Sequence, residues 1–278
     1  MGYYGHGCAT LEPMKASTSR GTVYEVSGPD DAPVVVFIHG LGMTRATWDQ
    51  HLCAFTQQYR VVHYDLTGHG ETPAAATTPD LTLFSEQCIE LMDELGIESA
   101  ALVGFSLGGM INRRIAIDYP ERVSALVILS SPHERDPEKQ RLYESQAEQS
   151  AAGGPEATID ATLQRWFTPD FRASNPDYVD MIRRWVLAND KAVYAQNRWV
   201  LANGVVELIR PDPPIRKSTL VMTCENDTGS NPQMSKAIAG EIEGSELIIV
   251  PDRQHLGLLE DPDAFTQPIL AFLKEAIS

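Results

Sequence analysis

The sequence predicts an α/β fold built on a mostly parallel sheet flanked by helices, and three observations carry that prediction. Six short apolar runs, VVVFIHG (34–40), YRVVHYD (59–65), AALVG (100–104), VSALVILS (123–130), TLVMTC (219–224) and ELIIVP (246–251), are continuous rather than alternating. Strands covered on both faces read this way. Stretches of helical periodicity separate the runs, and parallel strands need such crossovers. Finally, one serine stands among glycines in GFSLGG (104–109), where an apolar run ends and a helix-like stretch begins.

The elements follow in order along the chain. After the first two runs, TLFSEQCIELMDEL (82–95) carries Leu83, Phe84, Cys88, Leu91, Met92 and Leu95 as a helical stripe, with Gly96 placed to end the helix. Residues 107–118 and 262–276 read as helices of the same kind. From about 132 to 213 the strand signal disappears. Helix formers take over there, with Trp166, Trp185, Trp199 and many arginines, between the proline- and charge-rich boundaries SPHERDPEKQ and RPDPPIRK. This divides the chain into a core of residues 1–131 and 214–278 and a helical cap inserted at 132–213.

Composition narrows the partners. With 43% apolar residues and a formal net charge of −16, the chain is an ordinary folded protein whose field repels nucleic acid and anionic lipid. No stretch approaches the roughly 18 apolar residues of a membrane span, and no secretory or myristoylation signal is legible, so a cytoplasmic location is expected. The scattered Cys8, Cys53, Cys88 and Cys224 show no CxxC pair or metal-ligand spacing, and free, mostly buried thiols are expected. The histidines make no metal set either, so neither a metal nor a cofactor is expected.

The serine motif is G-x-S-x-G, formed by Gly104, Ser106 and Gly108. A strand that turns sharply into a helix strains its turn residue and needs small neighbours for close backbone approach. Ser106 would then present its hydroxyl at the carboxyl end of the sheet, beside the free N–H groups of a helix start. A serine hydroxyl needs a base, and the base needs a carboxylate to orient it. In chain order, ENDTG after the fifth run offers Asp227, with Glu225 in reserve, and DRQHLGLLEDP after the last run offers His255. The oxyanion donors are expected to be the backbone N–H groups of Leu107 and of Leu41 in HGLG. His39 and His69 sit in glycine-rich loops and are expected to shape them by bonding backbone.

With HGLG, YDLTGHGET, GFSLGG, ENDTG and QHLGLLEDP in place, the chain resembles the α/β-hydrolase family over nearly its whole length. It resembles most closely the 3-oxoadipate enol-lactonase group, through VGFSLGGMI, YPERVSALVILS and RWFTPDFR (165–172), although Thr67 stands where that group usually carries an arginine. The resemblance implies an eight-stranded sheet, a lid over Ser106, and a cofactor-free serine hydrolase acting on a small ester or lactone. Trp166, Trp199, Arg135 and Arg165 are the candidate substrate contacts, and in so acidic a chain inward arginines would suit an anionic substrate. The same residues would also serve an amide or C–C hydrolase or a perhydrolase. A non-enzymatic ligand receptor and a homodimer stay open. Dehalogenases and epoxide hydrolases are disfavoured because their nucleophile is an aspartate.

Overall fold

The apolar runs become strands, preceded by a hairpin that the patterning did not single out. The computed structural model describes residues 13–277. β1 (Met14–Ser17) and β2 (Val23–Ser27) form the hairpin, followed by β3 (Val34–Ile38), α1 (Asp49–Phe55), β4 (Arg60–Tyr64) and α2 (Leu81–Glu94). β5 (Ala100–Phe105), α3 (Leu107–Asp118) and β6 (Val123–Leu129) complete the first half. The sheet has eight strands in the order β1-β2-β4-β3-β5-β6-β7-β8, antiparallel at β1–β2 and β2–β4 and parallel elsewhere.

Between β6 and β7 (Thr219–Cys224) the chain is helical: α4 (Pro137–Gly153), α5 (Ile159–Trp166), α6 (Pro169–Ser174), α7 (Pro176–Leu187) and α8 (Lys191–Asn203). α9 (Pro232–Glu241), β8 (Glu246–Val250), the short α10 (Gly257–Glu260) and α11 (Asp263–Ala276) close the fold.

Burial explains the strand pattern. β5 and β7 are buried at every residue, as continuous apolar runs require, whereas β1 is largely exposed and β2 alternates. α2 starts where the Asp80 carboxylate accepts the Leu83 N–H, and it buries Leu81, Phe84, Cys88, Leu91 and Met92 against the core. Leu83 and Leu95 of the expected stripe are only partly covered. The registers Ile38↔Gly104 and Gly104↔Ile128 bring the carboxyl ends of β3, β5 and β6 level, so the loops leaving them share one rim.

The thiol expectation needs one correction. Cys88 and Cys224 are free and buried, but Cys53 is disulfide-bonded. Cys8 lies outside the described residues.

Candidate active site

One residue separates the end of β5 from the start of α3, and that residue is Ser106. Its φ of 55° and ψ of −110° lie where side-chain-bearing residues seldom go. The glycines on either side leave room for this turn. A Cβ on Gly104 would stand 2.2 Å from the Gly108 carbonyl oxygen, and one on Gly108 would stand 2.1 Å from that of Ile38. The Ser106 N–H donates to Leu129 O at 2.8 Å, extending the ladder to β6, and the Ser106 carbonyl accepts from Ser131 Oγ at 3.0 Å. Beneath it the buried Arg113 donates to Gly109 O (2.9 Å), Ser131 Oγ (3.2 Å) and Pro132 O (2.7 Å). Burial pushes the Arg113 guanidinium down to about 10.

Three residues past β7, Asp227 turns back over the sheet. Its Oδ1 accepts the Gly229 and Ser230 N–H groups, each at 2.9 Å, and its Oδ2 accepts from His255 Nδ1 at 2.7 Å. Burial alone would raise this carboxyl, but the neighbouring imidazole and the two backbone donors outweigh it and hold Asp227 below the usual carboxylate range. Glu225, the reserve candidate, is exposed and, among the described residues, accepts only the Asp252 N–H, at 3.2 Å. The bond to Asp227 leaves His255 Nε2 as the ring atom available to a substrate or nucleophile. The ring lies 5.0 Å from Phe105 and 6.1 Å from Trp166, centroid to centroid.

Ser106, His255 and Asp227 line one cavity enclosing about 800 Å³ with its open mouth, a small-molecule size. Among the described residues no hydrogen bond joins Ser106 Oγ to the His255 ring. Catalytic contacts are often loose without substrate and tighten when it binds.

Gly40 and Leu41 border the cavity. The N–H groups of Leu41 and Leu107 donate to no acceptor among the described residues, and Leu107 is the first residue of α3. His39 holds the Leu41 loop: its Nδ1 bonds Gly40 O at 2.8 Å and its Nε2 accepts the Leu66 N–H at 3.0 Å. His69 Nδ1 likewise bonds a backbone oxygen, Thr67 O, at 3.2 Å.

A further wall comes from the segment between β6 and β7, with Arg135 in the loop before α4 and the rest on its helices. Arg135, Arg165 and Trp166 line it, joined by Arg198, Tyr143 and Tyr194. Arg135 donates to Ala202 O at 2.9 Å, and its guanidinium lies 4.2 Å over the Tyr143 ring; burial lowers its affinity for the proton. Arg198 meets Gln146 Oε1 at 3.3 Å and Arg165 meets Thr162 Oγ1 at 3.4 Å. None of the three forms an ion pair with a carboxylate among the described residues, in a chain whose net charge is −16.

Trp199, predicted as a substrate contact, is not part of the site. It is 46% exposed, because Arg198 faces inward and a helix turns about 100° per residue. Tyr143, Gln146 and Tyr194 also line the cavity and belong to no sequence motif. Their one sequence signal is spacing, Tyr194 and Arg198 at i, i+4 and Tyr143 and Gln146 at i, i+3. The remaining described histidines have structural partners: His51 with Thr266, His63 with Arg45 O and His133 with Glu241. His6 lies outside the described residues.

Comparison with known proteins bears on the family and the fold. A model of the alpha/beta hydrolase family matches residues 35–267. The chain is 26% identical over 258 residues to 3-oxoadipate enol-lactonase 2 of Acinetobacter baylyi, covering 90% of this chain and 92% of that one. It is 24% identical over 263 residues to (E)-2-((N-methylformamido)methylene)succinate hydrolase of the same organism, covering 94% and 97%. The crystal structure of the enol-lactonase from Burkholderia xenovorans LB400 superposes with a TM-score of 0.85 at 28% identity, over 94% of this chain and all of that one.

Proposed function

The chain belongs to the alpha/beta hydrolase family, and from that premise we propose that it hydrolyses a small, carboxylate-bearing ester or lactone through an acyl-enzyme on Ser106. The observation that carries the proposal is the 2.7 Å Asp227–His255 bond beside the strained Ser106, in a cavity that also holds three arginines with no carboxylate partner among the described residues.

Ser106 Oγ attacks the carbonyl while His255 Nε2 takes its proton. Asp227 keeps the ring oriented and stabilises the imidazolium. The Leu41 and Leu107 N–H groups receive the oxyanion, a role for which they need give up no existing bond. His255 then returns the proton to the leaving oxygen. In a lactone that oxygen stays attached to the acyl chain, so the first half-reaction opens the ring and releases nothing. Water, activated by the same histidine, cleaves the acyl-enzyme and frees the acid.

Arg135, Arg165 and Arg198 seat a carboxylate of the substrate, and helices α4–α8 act as a cap that keeps bulk water from the reacting atoms. Both relatives named above act, by their names, on derivatives of dicarboxylic acids, which fits such a seat. The second of them, named for an N-methylformamido compound, favours a C–N bond as the alternative target.

Turnover of enol-lactones, p-nitrophenyl acetate and matched amides tests the reading. Ser106→Ala should lower kcat by at least about 10³-fold, and a fluorophosphonate should label the wild type at Ser106 and leave the variant unlabelled. Full activity in Ser106→Ala would refute the mechanism. Less than tenfold preference for any oxygen ester over an amide would overturn the choice of bond.

A further inference from the structure

The segment RWFTPDF (165–171) is attached to the histidine loop at more than one point. The residue after His255, Leu256, donates its N–H to Trp166 O at 2.9 Å. Four residues on, at the end of α10, the Glu260 carboxylate takes the Thr168 N–H at 2.6 Å on one oxygen and the Thr168 hydroxyl at 2.9 Å on the other. Thr168 Oγ1 also accepts the Phe171 N–H at 3.3 Å, capping α6. Phe167, fully buried, stacks on Phe171 with ring centroids 5.2 Å apart. The α5–α6 turn therefore rests on a packed base. Neither Glu260 nor Thr168 lines the cavity.

We infer that Glu260 is a positioning residue: together with Thr168 it clamps the α5–α6 turn onto the histidine loop and so sets where the His255 ring stands relative to Ser106. This rests on the serine mechanism proposed above. A hydrogen bond accepted by a charged carboxylate from a half-buried partner is among the stronger contacts available. This one fixes the register in which Trp166 O meets the Leu256 N–H. Without it, the backbone that carries the ring is tied to this turn by the Leu256–Trp166 bond alone among the hydrogen bonds of the described residues. Arg165 and Trp166, on the same turn, face the cavity. A substrate seated against them pushes on the segment that holds the histidine loop, so binding and alignment of His255 with Ser106 Oγ are coupled. Since misplacement by about 1 Å can cost on the order of 10² in rate, the clamp acts on kcat more than on binding.

The test compares Glu260→Ala, Glu260→Gln, Thr168→Ala and Thr168→Ser by kcat and KM per active site, with sites counted by fluorophosphonate titration. Glu260→Ala should lower kcat per titrated site about tenfold or more with KM within about threefold, and slow the labelling of Ser106 by the same factor. Thr168→Ala should lose about threefold or more, the double Ala variant should be no worse than Glu260→Ala alone, and Glu260→Gln and Thr168→Ser should recover most of the rate. A merely structural role would reduce the number of titratable sites and leave the rate of each unchanged. That result, or losses that multiply in the double variant, would overturn the inference. If Glu260→Ala does not fold, the Thr168 pair decides the matter. If the wild type itself resists the probe, the serine mechanism fails, and the clamp is then read from amide exchange at Leu256, which Thr168→Ala must accelerate about threefold or more.

Discussion

The Ser106 hydroxyl is presented to the cavity because the backbone beneath it is held at a positive φ that an L-residue resists. Such strain costs on the order of 1–3 kcal/mol and persists only where the surroundings over-determine it. Here they do: β6 takes the Ser106 N–H, Ser131 bonds its carbonyl, and Gly104 and Gly108 admit neighbouring backbone to within about 2 Å of where a Cβ would be. Two inactive variants separate strain from chemistry. Ser106→Gly relieves the strain but adds about 0.5–1 kcal/mol of chain entropy to the unfolded state, while Ser106→Ala keeps the strain. Ser106→Gly should therefore unfold at higher urea than Ser106→Ala, by up to about 2 kcal/mol; the reverse order would show that no strain is stored there. This site was legible in the sequence because its constraints are local. Only glycine satisfies a backbone approach that close, and Asp227 and His255 each follow a strand whose pattern is plain. The clamp between Glu260 and Thr168 was not legible, since the two are distant in sequence and neither residue type is unusual where it stands.

At the scale of elements, α8 shows what periodicity reveals and what it leaves open. Asp190 caps it, accepting the Ala192 and Val193 N–H groups at 2.9 and 3.0 Å, and the helix turns Tyr194, Arg198, Leu201 and Ala202 inward. That the segment is helical follows from its composition. Which stripe faces the cavity depends on the packing of α8 against α4, and a tryptophan is attractive as a pocket wall wherever it occurs. The hairpin β1–β2 lacks such a signal for a related reason: β1 is exposed at the sheet edge and β2 is buried on one face only, so neither needs a continuous apolar run. The two faces of α8 give opposite expectations. On the proposed carboxylate seat, Arg198→Gln would remove a charge-assisted contact worth about 1.5–3 kcal/mol, so KM for a carboxylate-bearing substrate should rise about 10- to 100-fold while a neutral ester is little affected. Trp199→Ser should leave both substrates within about twofold. Steady-state kinetics on a matched acid and its methyl ester distinguish them, and equal losses on both substrates in Arg198→Gln would remove the arginine from the carboxylate seat.

Over the whole molecule, the buried histidines and the excess negative charge pull stability in opposite directions as pH falls. His39, His51, His63 and His69 are almost wholly buried, and burial holds all four below the ordinary 6.5, His51 at about 4 and His69 at about 3. Between pH 6.5 and about 4 the unfolded chain takes up protons at His51 and His69 that the folded chain refuses, and His39 and His63 act in the same direction. Stability from each is thus complete above 6.5 and is lost as pH falls, by up to about 1.4 kcal/mol per unit and group. Asp49 works the other way. Burial raises its carboxyl to about 6, so the folded state binds its proton first and gains over the same window. Acidification also relieves the self-repulsion of a chain at −16, but surface repulsion is screened beyond about 8 Å at physiological salt, and buried groups are screened far less. Burial also lowers His133 and raises Glu260, so five buried imidazoles against two carboxyls and a screened surface decide the sign. Urea unfolding at 0.15 M salt should show stability falling from pH 7 to pH 5, before the depressed carboxyl of Asp227 begins to protonate. His51→Gln, which should keep a side-chain partner for Thr266 without a proton to take up, should flatten that slope. A wild-type stability that holds level or rises over the same interval would mean that surface charge, not the buried rings, governs the acid limb.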